Sequence, residues 1–544
     1  MTIGPGETTR KLVNRLAGAI YASPLYRLTL RARVPERLVR LPPPAWPGDT
    51  EHGAAVVAGR LVCAGRTIDL RRRDWYAEDL DSDAFAELHG FGWLDDLAAV
   101  GSESAQRRAR ELIAGWLDAE RAWHPIASAP AVAGRRIASW LTHAKFVVDG
   151  ADDDLGRRML RSLTRQMRHL SRVAGSGEDG LARLIAIRGL LYGACCGIGN
   201  DRMAQRAVKL LTNEIRRQVL PDGGHVERSP ASQLAALAAL IDMRDMAEMA
   251  GLEVPAELPQ AIARMSAMLR FLRHGDGGLA LFNGANEASP ALIEAVLARA
   301  AGPDTRAAAA PDMGYERLAA GTALVLTDVG RPPPAGFDRH AHAGTLSFEF
   351  SSGRERVIVN CGAMASADAA WRFAQRATAA HSTLVVDDTN SAEILTAGGI
   401  GWRPEQVTCT REEDGGNVWI TASHDGYAPL FRLVHQRRLY LSRDGDDFRG
   451  EDTLTGPHVG SFAVRFHLHP DMQVSLVQNG TAALLRAPSG TAWRFLASGG
   501  KLELAETVYL GRRNEMRRSE QIVISGPISN GAQIKWALRR ITKA

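Results

Sequence analysis

Histidine and arginine at short spacings give this chain its capacity for acid–base chemistry near neutral pH, and five segments carry them. LPDGGHVERSP (220–230) sets His225, Glu227 and Arg228 in a glycine-rich turn ahead of a helix start, a place that suits an anionic ligand. The same residues would also serve an ordinary hairpin loop with Ser229 as cap. FLRHGDGGLALFNGANE (271–287) sets His274 and Asp276 in a turn; Asn283 could donate to a carboxylate or simply make the FNG turn. In RHAHAGTLSFEF (339–350), His340 and His342 are two apart and share a strand face, as a base plus a ligand or as two metal ligands. WRFAQRATAAHSTLVVDD (371–388) brings Arg376 and His381 before an apolar strand. His342, Asn360 and His381 would make a two-histidine site with a third oxygen ligand, as zinc takes. Asn360 is a neutral and poorer ligand than a carboxylate, so a hydrogen-bonded structural cluster is an equal reading. FAVRFHLHP (462–470) puts Arg465, His467 and His469 on one face, either to meet an acidic sugar or to face solvent.

Two kinds of element must position these residues. From about residue 83 to 300 apolar residues recur every three or four positions, as in ASQLAALAALIDMRDMAEMA, with Ser229-Pro230 as a helix start. Successive helical hairpins of this kind predict a toroid or solenoid. Trp93, Trp116, Trp123 and Trp140 in this half are sugar platforms or, at helical spacing, core. After the Gly/Pro/Ala-rich stretch at 300–314 come more than ten short β-rich runs without helices between them, which predicts a large antiparallel sandwich. The expected organisation is a basic arm and Pro-rich linker at 1–50, a helical domain at 51–310 and a β-domain at 315–544, with a ligand cleft between the last two.

Composition bounds the function. The chain has 544 residues, 45% hydrophobic and 23% charged, with a net charge of +5. That is globular composition, without an apolar run long enough to span a membrane. Residues 1–50 hold eight basic and three acidic residues, so the excess sits in the arm and the body is balanced. A nucleic-acid enzyme would show a basic track elsewhere. The arm could touch an anionic membrane surface or stay solvated. Five cysteines without CxxC spacing exclude a disulfide framework and a cysteine-rich zinc module. The first residues do not read as a signal peptide, so a cytoplasmic location is the default.

DGGHVERSP, HAHAGTLSFEF, RVIVNCG and RATAAHSTLVVDD, in that order, resemble the heparinase II/III family over roughly residues 80–544. The resemblance implies an incomplete (α/α) toroid followed by an antiparallel β-sandwich. It implies a polysaccharide lyase acting on an acidic, uronic-acid-containing polysaccharide or oligosaccharide by β-elimination, with no required cofactor. It points to the periplasm or envelope as an alternative location. By motif, His340 is the base or carboxylate neutraliser; His225, Glu227 and Arg228 orient or neutralise from the helical side. Asn283, Arg376, His467 and His469 complete the substrate set. His342, Asn360 and His381 resemble positions that hold a metal, a structural zinc, in some members. This sequence departs from the pattern in three places. It reads ASQL (231–234) where relatives carry an aromatic residue and a histidine. Its only tyrosine between Tyr76 and Tyr315 is Tyr192, the proton-donor candidate, inside apolar LLYGACC. Asn360 and Gly344 stand where relatives often have Asp. A non-catalytic glycan- or envelope-binding protein on the same scaffold is therefore the second reading. A glycoside hydrolase ranks last, because only Glu227 offers itself as one of the two acids needed.

Overall fold

The computed structural model describes residues 18–541 except 72–73, 78–79, 121–122, 151–152, 301, 303–306, 367 and 513–514. Arg10, Lys11 and Arg15 of the basic arm thus lie outside the described residues. The chain forms two compact units, Met1–Ile215 with Ala238–Pro259, and Arg216–Leu237 with Gln260–Ala544. This division does not follow the 300–314 stretch. The DGGHVERSP loop and the residues from 260 to 300 make their contacts with the β-rich part.

The first unit is helical. Its long helix Asp153–Val173 buries Leu155, Met159, Leu163, Met167 and Leu170, the 3.6-residue stripe expected from its sequence. Leu181–Cys195 is apolar apart from Arg183 and Arg188, both in ion pairs, and correspondingly deep, with Leu184, Ile187, Leu190 and Leu191 buried. It packs on Pro130–Thr142 where two glycines meet: a Cβ on Gly189 would lie 2.3 Å from the Cα of Gly134. Trp93, Trp116 and Trp140 are core residues here, and Trp123 is half-buried. Among the described residues no helix is long and apolar enough to cross a membrane.

The second unit carries two antiparallel sheets. One has the strand order Gln473–Val477, Ala482–Arg486, Ala492–Ser498, Ala532–Arg540, Asp447–Thr455, Val434–Leu441, Asn417–His424 and Val407–Asp414. The other runs Lys501–Tyr509, Arg517–Ser529, Val459–Leu468, Glu355–Val359, Phe348–Ser352, Ala323–Asp328, Tyr315–Ala320 and Ala309–Ala310, with Leu384–Val386 also paired to Val459–Leu468. Period-two alternation sends Phe348, Phe350, Phe448, Phe466, Phe495 and Trp536 into one aromatic core.

A charged cluster sits inside this core and is fully bonded. Arg437 donates to both carboxylate oxygens of Asp452, at 2.7 and 3.1 Å, and to the carbonyls of Leu346 and Ser382. Trp536 Nε1 and His435 Nε2 also donate to Asp452. His424 Nε2 is 3.2 Å from His435 Nδ1 and accepts the Gly426 N–H at Nδ1, so both imidazoles are satisfied when neutral. Burial opposes the Asp452 charge, yet Arg437 and His435 hold its carboxyl far below the usual range.

A histidine loop as candidate active site

The loop 339–344 precedes strand Phe348–Ser352, and the second unit holds it from several directions. Asn283, in a turn with φ +46°, accepts the His342 N–H at 3.1 Å through Oδ1. Its Nδ2 donates to the Arg228 carbonyl and to the Tyr315 hydroxyl, both at 3.1 Å. The next residue, Gly284, has φ +79°, and a Cβ there would stand 3.3 Å from the His340 carbonyl oxygen. Arg376 Nε donates to the Ala341 carbonyl at 2.8 Å, and Thr378 Oγ1 to that of Ala343 at 2.7 Å. His340 itself is exposed on this pinned loop.

His342 is buried, and its Nδ1 lies 3.0 Å from His381 Nε2. His381 Nδ1 faces the Ala377 carbonyl at 2.8 Å and must donate to it. With His381 neutral its Nε2 accepts, so His342 Nδ1 carries the proton and its Nε2 is left as the acceptor. Burial pushes both imidazoles down, His381 to about 4 and His342 well below its ordinary value, helped by its neighbours His381 and Arg376. Both rings are neutral at pH 7, as this arrangement requires.

The third group of the metal candidate does not fit. Asn360 Oδ1 accepts the Ser382 N–H at 2.9 Å, which fixes the amide orientation. Asn360 Nδ2, a donor, is then buried without a partner among the described residues, and an NH2 group cannot ligate a cation. Gly344 leaves no room for a carboxylate, since a Cβ there would be 2.8 Å from His381 Cδ2. His342 and His381 thus form a hydrogen-bonded pair, which Asn360, bonded to Ser382 and Glu349, does not join. Among the described residues no group of three or more His, Cys, Asp or Glu side chains is disposed to hold a metal.

Arg228, at φ +54°, is a structural staple. Its guanidinium is buried and donates to the carbonyls of Met313, Gly314 and Arg331 and to Asp328. Burial opposes its charge, but Asp328 and Tyr315 raise its pKa overall. It has no face left for a substrate carboxylate, contrary to the sequence reading. His225 is also turned inward: fully buried, it donates from Nε2 to Gln218 at 3.0 Å. Glu227 accepts from the Ser232 hydroxyl at 2.6 Å. The Asn283 amide and the Arg376 guanidinium are likewise used on the chain itself, Arg376 also reaching the Gly399 carbonyl at 2.7 Å.

The remaining candidates are engaged by their own neighbours. The Arg465 face of strand Val459–Leu468 is not an open sugar surface at His467. The turn Thr378–Ala380 covers it, and His467 Nε2 bonds the Ala379 carbonyl at 3.0 Å while Nδ1 meets Thr507 at 2.9 Å. His469 packs edge-on to Tyr509, whose hydroxyl donates to Glu287. Tyr192 is buried in the helical unit under Arg188, which pairs with Asp242 at 2.9 Å.

Sequence reasoning missed two organisers. Tyr315 donates its hydroxyl to the Arg228 carbonyl at 2.7 Å and joins that loop to Asn283; nothing in its spacing marks it. Glu349 is fully buried. It accepts from His274 Nε2 at 2.9 Å, Leu281 N at 3.1 Å and Asn360 N at 2.9 Å. A lone acid inside the apolar run TLSFEF was its signal.

Comparison with known proteins agrees with this architecture. Residues 199–301 match the model of the heparinase II/III N-terminus, and residues 302–537 that of the heparinase II/III-like C-terminal domain. FtsZ-localized protein C of Caulobacter vibrioides (strain NA1000 / CB15N) is 33% identical over 542 residues, covering 96% of this chain and 93% of that protein. A crystal structure of heparinase III shares the fold at a TM-score of 0.73 and 13% identity, over 99% of this chain and 92% of the other. A mutant of heparan sulfate lyase HepC from Pedobacter heparinus does so at 0.62 and 18%, over 98% and 90%. With its helical toroid followed by an antiparallel β-sandwich, the chain belongs to the heparinase II/III-like family.

Proposed function

We propose that the chain cleaves a uronic-acid-containing polysaccharide by β-elimination, with His340 as the proton acceptor. The observation that carries this is an exposed imidazole on a loop fixed by Asn283, Arg376 and Thr378, in a chain of a polysaccharide-lyase family. In the reaction the base takes the C5 proton, the C4=C5 double bond forms, the C4–O bond breaks and the leaving oxygen gains a proton. The uronate carboxylate has to be neutralised for C5 to become acidic. Arg228 and Asn283 act in this reading as positioning residues, because the Asn283 amide is spent on the loop and the Arg228 guanidinium on Met313, Gly314, Arg331 and Asp328.

A second reading, acidic-glycan binding without turnover, is favoured by that same saturation of Arg228 and Asn283 and by the burial of Tyr192. It also suits a relative whose name records localisation with FtsZ and no reaction.

One assay separates them. The full chain is incubated with polygalacturonate, alginate, hyaluronan and heparan sulfate, and the ultraviolet absorbance of an unsaturated uronate is followed. Turnover of at least one polymer, reduced about 10²–10⁴-fold in His340→Ala with an unchanged melting temperature, is the expected result. Saturable binding with no absorbance change on any polymer establishes the second reading instead.

A further inference from the structure

The outward face of the sheet that contains Asp447–Thr455 differs from an ordinary solvated strand surface. One cross-strand row places Trp419, Tyr440, Arg449, Ala537 and Leu496 side by side. Glu412 ends that row on the edge strand. The next row holds Thr421, Arg438, Glu451, Lys535 and Ser498. The rings of Trp419 and Tyr440 are 5.1 Å apart and tilted by 45°, and the Arg449 guanidinium lies 5.5 Å over Tyr440. Ala537 is short, so the surface sinks between the aromatic pair and Leu496. The result is an open trough of about 750 Å³.

Charge in this trough is one-sided. Arg438, Arg449, Lys535 and Arg539 line it, against Glu451 as its acid. Asp447, beside it, bonds Arg449 and lies 3.4 Å from Arg539, and Glu451 lies 3.5 Å from Lys535. Arg438 makes no ion pair among the described residues. Its planar fork is available for bidentate contact with a carboxylate or sulfate. Half-buried aromatic rings beside the guanidinium of Arg438 are the two components that hold an acidic sugar: apolar ring faces for its C–H groups, and charge-assisted donors for its anion.

We propose that this trough, distinct from the His340 loop, is a holding site for an acidic saccharide chain, which stacks on Trp419 and Tyr440 and pairs an anionic group with Arg438. The sheet favours a saccharide over an acidic peptide. Backbone groups beneath the trough are already paired in the ladders between Asn417–His424, Val434–Leu441, Asp447–Thr455 and Ala532–Arg540. A peptide lying across that face finds no main-chain partners and binds sheets at their edges instead. A saccharide needs none, since its hydroxyls and anions are met by side chains. The site requires no cleavage, so it stands or falls independently of the elimination chemistry.

Affinity electrophoresis of the full chain tests it, in native gels containing polygalacturonate, heparin, neutral dextran or polyglutamate. Retardation by polygalacturonate assigns the anion as carboxylate; retardation by heparin alone assigns it as sulfate; dextran leaves mobility unchanged. Trp419→Ala/Tyr440→Ala and, separately, Arg438→Glu weaken the retardation by about tenfold or more in apparent Kd. All three side chains point outward, and circular dichroism melting confirms that the variants are folded. The proposal is overturned by no retardation in either acidic glycan, by equal retardation of parent and variants, by retardation in dextran, or by tighter binding to polyglutamate than to both glycans.

Discussion

Asn283 bears more of the candidate site than any charged residue does. One amide joins three segments: the Arg228 carbonyl, the Tyr315 hydroxyl and the His342 N–H. Replacing it with alanine strands buried partners and puts a Cβ-bearing, non-Asn residue at φ +46°, where asparagine is better tolerated. Asn283→Ala is expected to cost ~2–4 kcal/mol in urea unfolding, from the three lost buried bonds and the backbone preference. At this scale the sequence was legible for residue type and not for direction. FNG announced a turn, and the turn is there. Whether the amide faced a substrate or the chain depended on Tyr315 and Arg228, which are 32 and 55 residues away. His225 and Arg228 were selected for their chemistry. Their burial follows from Gln218, Met313 and Asp328, which no local spacing reveals.

Secondary-structure elements were far more readable. The apolar stripe of Asp153–Val173 and the alternation of Val459–Leu468 each appear as read. What alternation could not show is that the turn Thr378–Ala380 would lie over the His467 face. That face is polar in sequence because it bonds a loop, not because it meets water. The contact between Pro130–Thr142 and Leu181–Cys195 was equally invisible, since Gly134 and Gly189 read as weak points of helices. Helix propensity alone predicts that Gly189→Ala stabilises. Packing predicts the opposite, because the new methyl would stand 2.3 Å from the Gly134 Cα. Overpacking wins: Gly189→Ala should lower stability by ~1–3 kcal/mol, seen as a lower melting temperature.

For the whole molecule, the buried imidazoles set the response to acid. Burial pushes His225, His274, His342, His381, His424, His435 and His467 below the ordinary value of 6.5, His381 to about 4 and His467 to about 3. The unfolded chain therefore binds more protons than the folded one between pH 6.5 and those lower values. Their contribution to stability is complete above pH 6.5 and is lost progressively as pH falls. Asp452, held low by Arg437 and His435, adds a further loss below about pH 4, the ordinary Asp range. The urea midpoint is expected to drop steeply from pH 7 to pH 4 and to change little from pH 7 to pH 8. A flat midpoint across the acid limb would contradict the neutral, buried state of these rings.

The Arg228 staple has a consequence for biosynthesis. Its carboxylate partner, Asp328, lies 100 residues further along the chain. A ribosome delivers the DGGHVERSP loop well before anything exists to receive it, and the guanidinium waits in water until the strand Ala323–Asp328 emerges. The toroid's own helices can assemble as they are made, but this loop cannot settle in order of synthesis. Stalled nascent chains ending near residue 300 should leave it open to protease, and chains long enough for residues 323–352 to have left the ribosome should protect it.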